Sequence, residues 1–274
     1  MCRITAAISP EPVSTRDLLC GGPRSLLAQA GAVPGRFQDD GWGIARFVPK
    51  GILSYKSPGP ARLEKKEFEK AAAGTSRVTL AHLREASNPG KLPKSRLVGL
   101  ANTQPFYGEG LAFAHNGTLF IKDEVRSLLG KYAARVKGVN DSEVLFWQVV
   151  KMLDAYGSLD AALEMALDEI RTIWISVKDK YPGLDGPYRG LNMFLASKDS
   201  LAVLCHSPLK KKSALLTPGW DFGRIAWRRE KDRVVFSSEP ADGLPGWKKM
   251  KDPEVASATV RGGKITLSFR GIRL

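Results

Sequence analysis

Short strands, then a long helical stretch, then more short strands predict an α+β fold of mainly antiparallel sheets covered by helices. Three observations carry this. Short apolar segments bounded by turn residues dominate the chain up to His115. Two long segments from Asp141 to Val177 place apolar residues at helical spacing. Three pairs of apolar segments joined by tight turns follow, up to Phe269.

Arg3–Ile8 reads as a buried strand, which puts Cys2 at a strand start. Pro23–Ala30 reads as a helix, with Pro23 near its first turn and Gly31 as its stop. Gly41–Val48 and Ile52–Lys56 form a strand pair around Pro49-Lys-Gly51. Leu63–Ala73 is a charged helix with Leu63, Phe68, Ala71 and Ala72 available for its inward face. Arg77–Leu83 and Leu111–His115 are further strands. In the helices Asp141–Tyr156 and Leu159–Val177 the apolar stripe runs through Val144, Leu145, Val149 and Met152, then Leu163, Ala166, Ile170 and Ile173-Trp174. The closing pairs are Leu191–Ala196 with Leu201–Cys205, Arg224–Arg229 with Arg233–Ser237, and Ser257–Arg261 with Lys264–Phe269. Lys198-Asp-Ser200 and Gly262-Gly263 mark turns between them.

With 274 residues and neither internal repeat nor low-complexity linker, residues 1–274 read as a single domain. The composition, 43% hydrophobic and 26% charged, belongs to a folded chain rather than a disordered one. No apolar run reaches the length of a membrane span, and no basic segment followed by an apolar stretch marks a signal peptide. Cys2, Cys20 and Cys205 are too few and scattered for a disulfide framework. His82, His115 and His206 show no metal-ligand spacing. These features predict a reducing, cytoplasmic compartment, no membrane association, no structural metal and no cofactor. The net charge of +14 invites a nucleic-acid reading. From Cys205 onward, however, 15 Lys and Arg stand against 7 Asp and Glu, spread singly along hairpins. Lys210-Lys-Lys212 and Lys248-Lys249 are short and lack interleaved aromatics for base stacking, so a solvated basic surface is the expectation.

Cys2 becomes the amino terminus once Met1 is removed, and then carries a thiol beside an α-amine. That amine titrates at about 7.7–8.0 and can serve the thiol as a base. Alone, a cysteine at this position is ordinarily inert. Phe113-Ala-His-Asn-Gly-Thr118 offers a side-chain amide and a backbone N–H that can point at one developing oxyanion; Asn-Gly is equally a common hairpin turn. In Ala81-His-Leu-Arg-Glu-Ala-Ser87, Arg84 follows a strand and can grip a carboxylate with two prongs. It can also pair with a structural acid such as Glu85, with His82 as a satisfied core residue. Asn140-Asp-Ser-Glu143 is a capping-box pattern, which leaves Asp141 in the first turn, free to face an ammonium group.

Met1-Cys-Arg3, Asp40-Gly-Trp-Gly-Ile-Ala45, Ala81-His-Leu-Arg84 with Ser87, Asn102-Thr-Gln-Pro-Phe106, Phe113-Ala-His-Asn-Gly117 and Asn140-Asp-Ser-Glu143 occur in this order. Over residues 1–240 the set resembles the glutamine-hydrolysing domain of class II glutamine amidotransferases, within the N-terminal-nucleophile hydrolases. The resemblance implies a four-layer αββα sandwich of two mainly antiparallel sheets. It implies Cys2 as nucleophile with its own α-amine as base, and Asn116 with the Gly117 amide as oxyanion donors. It implies Arg84 on the substrate α-carboxylate and Asp141 on its α-ammonium. Ser87 stands where the family usually has Thr, so a hydroxyl is kept. His82 and Asp40–Gly43 shape the site.

Two substrates fit these roles. One is glutamine, cleaved through a γ-glutamyl thioester with ammonia released for a separate synthase. The other is a larger γ-glutamyl amide, as in ergothioneine biosynthesis, hydrolysed without ammonia delivery; the Met1-Cys-Arg3 start and the Asn102–Phe106 string favour such small proteins. A non-catalytic basic module on the same fold predicts a retained Met1 or a broken motif, and the motif is intact.

Overall fold

The computed structural model describes residues 2–32, 37–208 and 215–274; Met1 and the Lys210–Lys212 run lie outside the described residues. In chain order the elements are β1 (Arg3–Ser14), α1 (Arg16–Cys20), α2 (Leu26–Gln29), β2 (Trp42–Val48), β3 (Gly51–Ser57), α3 (Lys65–Ala72), β4 (Thr75–Leu83) and α4 (Lys94–Leu97). Then come β5 (Phe106–Gly108), β6 (Leu111–Leu119), α5 (Lys122–Ser127), α6 (Asp141–Tyr156) and α7 (Leu159–Val177). The last are β7 (Tyr188–Ala196), β8 (Ser200–Cys205), β9 (Ala226–Arg229), β10 (Val234–Ser237), β11 (Lys248–Lys249), β12 (Glu254–Arg261) and β13 (Lys264–Gly271).

Two sheets form, ordered β11-β9-β10-β1-β4-β2-β3 and β13-β12-β8-β7-β6-β5, and their paired strands run antiparallel. Strand alternation sorts side chains into layers. On β7, Met193 and Leu195 join α6 and α7 in one core, while Phe194 and Ala196 face the other sheet with Ile8, Val78 and Phe236. Phe68 of α3 packs with Trp42, Ile44 and Leu83 on the far side of the larger sheet. The result is helix, sheet, sheet, helix, the predicted four layers.

The helices α6 and α7 match their expected bounds. The Ser142 amide donates to Asn140 Oδ1 (2.9 Å) at the start of α6, and Gly157 closes it at φ +75°. The capping box is only half made. Glu143 turns to the preceding loop, accepting the amides of Lys137 (3.0 Å) and Gly138 (2.6 Å).

Three expectations need correction. The helix expected over Pro23–Ala30 shrinks to Leu26–Gln29, because Ser25 Oγ ties back to the Gly22 carbonyl (2.7 Å) and holds the earlier residues in a turn. Leu63 does not face inward: it precedes α3 and is 70% exposed, so Phe68, Ala71 and Ala72 alone supply the buried face. Asn116-Gly117 is no hairpin turn but lies inside β6, paired with Asn192 and Leu191 of β7. The Lys248-Lys249 run has no interleaved aromatic of its own, and its ammonium groups lie over Trp227 (5.2 Å) and Trp220 (5.1 Å), rings brought from elsewhere in the chain.

Candidate active site

The two sheets set the site at one end of the sandwich. Cys2 enters β1, which pairs with β4 so that Arg3 stands opposite Leu83, and Arg84 therefore emerges beside Cys2. Across from them β6 carries Asn116 and Gly117, and the first turn of α6 brings Asp141. Cys2, Arg84, Ser87, Gly117 and Asp141 line one cavity of about 380 Å³; Asn116 stands behind its wall.

The Cys2 thiol sits 3.4 Å from both the amide nitrogen and the carbonyl oxygen of Glu85. Burial raises its pKa, with the Arg84 guanidinium acting in the opposite sense. Arg84 is buried, yet one of its terminal nitrogens donates to the carbonyls of Leu97 (2.7 Å) and Asp40 (3.3 Å). Burial lowers its pKa, while Cys2, Asp40 and Asp141 pull it up. Its backbone is pinned as well: the Arg84 amide donates to Gly41 and the Asp40 amide donates to Arg84. The Asp40–Gly43 segment thus shapes the site as expected. Gly41 itself sits at φ +126°, a backbone conformation open to glycine.

Asp141 accepts the Leu119 amide on Oδ2 (2.7 Å) and the Ser142 amide on Oδ1 (2.9 Å). Two backbone donors therefore aim the carboxylate into the cavity from the helix start, where negative charge is favoured. Gly117, at φ +154°, has no room for a side chain: a Cβ there would meet the Gly190 carbonyl oxygen at 1.9 Å. The Asn116 amide nitrogen donates to the Cys2 carbonyl (3.0 Å) and the Ser238 hydroxyl (3.1 Å). Its Oδ1 is buried and has no partner among the described residues.

Behind these groups lies a polar layer that sequence reasoning did not single out residue by residue. Gln104 clamps His115, accepting its amide on Oε1 (2.6 Å) and donating to its carbonyl (3.2 Å). His115 Nδ1 meets the Ser142 hydroxyl at 2.9 Å. Asn102 accepts the Val139 amide (2.9 Å), and its carbonyl takes the Asn140 side chain (3.0 Å). The signal was the Asn102–Phe106 string, whose polar residues ended up tying three segments together. Ser238 gave none, standing 122 residues from Asn116. Burial holds His82 and His115 below the usual imidazole range; His115 lines the cavity as a neutral ring, while His82 is fully buried and is not part of the lining.

Chemically, the cavity presents a thiol flanked by a fixed cation and a fixed anion, the complement of an α-amino acid head. No cluster of three or more His, Cys, Asp or Glu residues that could hold a metal occurs among the described residues. No helix among them is long and apolar enough to cross a membrane.

Residues 24–211 match the family model for class-II glutamine amidotransferases. No curated protein sequence matches the chain. A glutamine aminotransferase class-II domain protein from Silicibacter pomeroyi aligns over 98% of this chain and 99% of its own, at 16% identity and TM-score 0.64. Glutamine phosphoribosylpyrophosphate amidotransferase from B. subtilis aligns over 97% of this chain at 16% identity and TM-score 0.61. This chain spans 49% of that protein's length. These two likenesses concern the fold.

Proposed function

Because this chain belongs to the class-II glutamine amidotransferase family, we propose that it hydrolyses the side-chain amide of glutamine with Cys2 as nucleophile, releasing glutamate and ammonia. The observation that carries the reading is the placing of Arg84 and Asp141 in one cavity with the thiol. Arg84 and Ser87 hold the substrate α-carboxylate and Asp141 holds its α-ammonium, which sets the γ-carbonyl on the thiol. Loss of Met1 frees the Cys2 α-amine, and this amine takes the thiol proton. Thiolate attack forms a tetrahedral oxyanion, stabilised by the Gly117 N–H and by the Asn116 amide once it turns from the Cys2 carbonyl. Collapse breaks the C–N bond, the Cys2 α-ammonium passes its proton to the leaving nitrogen, and a γ-glutamyl thioester remains. Water, deprotonated by the same amine, then releases glutamate. Residues 1–274 act as one domain in the cytoplasm, where its three cysteines stay reduced, and the ammonia passes to a separate synthase.

The test is intact-mass analysis before and after incubation with a diazo-ketone glutamine analogue. The expected result is a chain lacking Met1 that gains one adduct on Cys2. A full-length mass with no adduct overturns the reading.

One observation favours a second substrate. The cavity continues past Asp141 to Phe120, Tyr181 and Leu184, and its volume matches sites for ligands larger than free glutamine. A γ-glutamyl amide of a larger amine uses that room and delivers no ammonia. Comparing kcat/KM for glutamine and γ-glutamyl-ethylamide, whose amine leaves no more readily than ammonia, separates the two: a higher value for the ethylamide selects the second reading.

A further inference from the structure

On the other side of the segment that carries Gln104, β3, β5 and α6 enclose a second cleft of about 180 Å³. Phe106, Tyr107 and Trp147 supply its apolar walls, Lys56 reaches it from β3, and Arg135 and Lys137 reach it from the loop before α6. Its lining carboxylate, Glu143, is already committed to the amides of Lys137 and Gly138. Arg135 reaches Glu109 at 3.4 Å on its exposed side and lies 5.9 Å from the Trp147 ring.

Lys56 is the informative group. It is half-buried, and its ammonium donates to the Pro105 carbonyl at 3.3 Å. It forms no ion pair within 4.0 Å among the described residues. The Phe106 and Tyr107 ring centroids lie 5.5 Å away, and such contacts attract a cation without accepting its remaining N–H donors. Burial pulls its pKa down to about 8, with the Glu143 carboxylate acting in the opposite sense without reversing it. A cation kept in this position at a cost is what a site for a counter-charge requires. An ordinary snorkelling lysine sends its head to water and lets its stem cover the rings; this head is held over the rings, at the cleft.

We infer that this cleft binds a phosphate monoester of a planar aromatic group, with the phosphate on Lys56 and Lys137 and the ring against Trp147 and Tyr107. Arg135 is already paired with Glu109, so the open charge is that of Lys56 and Lys137, which have no ion-pair partner among the described residues; two such ammonium groups favour a dianion over a monocarboxylate. The aromatic walls favour a ring-bearing ligand over inorganic phosphate.

Phenyl phosphate is the probe, titrated against the whole protein by calorimetry and by tryptophan fluorescence, with Trp147→Phe to assign the optical signal. The expected result is saturable one-to-one binding, at least threefold tighter than inorganic phosphate. It weakens at least tenfold in Lys56→Met and in Lys137→Ala and stays unchanged in Arg84→Lys. Lys137 is exposed, so its variant reports binding without disturbing the fold. Three results overturn the inference: no saturable binding, full affinity in both lysine variants, or loss confined to Arg84→Lys, which would place the anion in the Cys2 cavity. Equal affinity for inorganic phosphate removes the aromatic part.

Discussion

Arg84 and Lys56 are both cations withdrawn from water, and they are supported in different ways. Arg84 hands one nitrogen to two backbone carbonyls, and its own backbone is fixed by Gly41 and Asp40. Its charge has Asp40 and Asp141 close enough to pull its pKa up. Lys56 has one carbonyl, two rings and a carboxylate already occupied by amides. Preorganised charge in a site is oriented before the ligand arrives, so binding need not supply that ordering. The Cys2 cavity follows this pattern throughout: Asp141 on two amides, His115 on Gln104, Gly117 against Gly190. The Lys56 cleft has charge without that scaffolding. The first is arranged as a place for chemistry, the second as a place that gains from being filled.

The sharpest way to separate the two clefts is Cys2→Ala. Glutamine hydrolysis is expected to fall by about 10⁴-fold or more, because the covalent route disappears. The thermal midpoint and phenyl phosphate affinity stay at their parent values, since among the described residues the thiol's hydrogen bonds are to the Glu85 backbone alone. Ammonia release, a thermal melt and calorimetry read the three together. Residual turnover above background would mean that another group is the nucleophile.

Asp141→Asn comes next. The neutral amide cannot pair with the substrate ammonium, and one of its two terminal atoms becomes a donor where Leu119 and Ser142 amides already donate. The expected outcome is a rise in KM for glutamine of about 10²-fold, the scale of a lost charge-assisted hydrogen bond, with kcat changed far less. Steady-state kinetics decide it: a fall confined to kcat would place Asp141 on the reacting atoms instead of the substrate head.

The sequence revealed the Cys2 cavity far better than the Lys56 cleft, for physical reasons. Helices α6 and α7 announce themselves through a repeat near 3.6 residues, with Asn140, Gly157 and Ser158 as boundaries. Residues in β1, β4, β6 and α6 that face one cavity lie in ordered strings, so the strings could be recognised together. Gly117 was ambiguous because a glycine after an asparagine reads as a turn. What makes it necessary is the Gly190 carbonyl, 73 residues away, and no local pattern encodes that approach. Leu63 misled for the opposite reason. It is an apolar residue just before α3, but the chain enters the helix only at Lys65. The Lys56 cleft draws its residues from β3, β5, the loop before α6 and α6 itself. Each looks like an ordinary surface lysine or core aromatic until the sheets assemble.

The smallest expected effect tests the contrast most directly. If Lys56 is held at a cost, then Lys56→Met stabilises the unliganded protein. A folded pKa of about 8 against an ordinary 10.5 corresponds to about 3 kcal/mol of penalty on the charged form, cut to about 2 by partial exposure. Leaving the Pro105 carbonyl without its donor returns about 1, so the net gain is about 1 kcal/mol, or about 2 °C in the thermal midpoint. The sign with pH follows from proton linkage. Below about pH 8 both folded and unfolded wild-type chains carry the proton, and the folded state bears the whole penalty. Between about 8 and 10.5 the folded lysine releases its proton while the unfolded one keeps it, so wild-type stability rises toward the variant's. Denaturant melts of both proteins from pH 6 to 10 should therefore show a gap that is widest at the acid end and closes above pH 8. A gap of the opposite sign would show that the rings and the carbonyl satisfy Lys56 fully. The two cations would then be supported equally well, and the cleft would have no need of an anion.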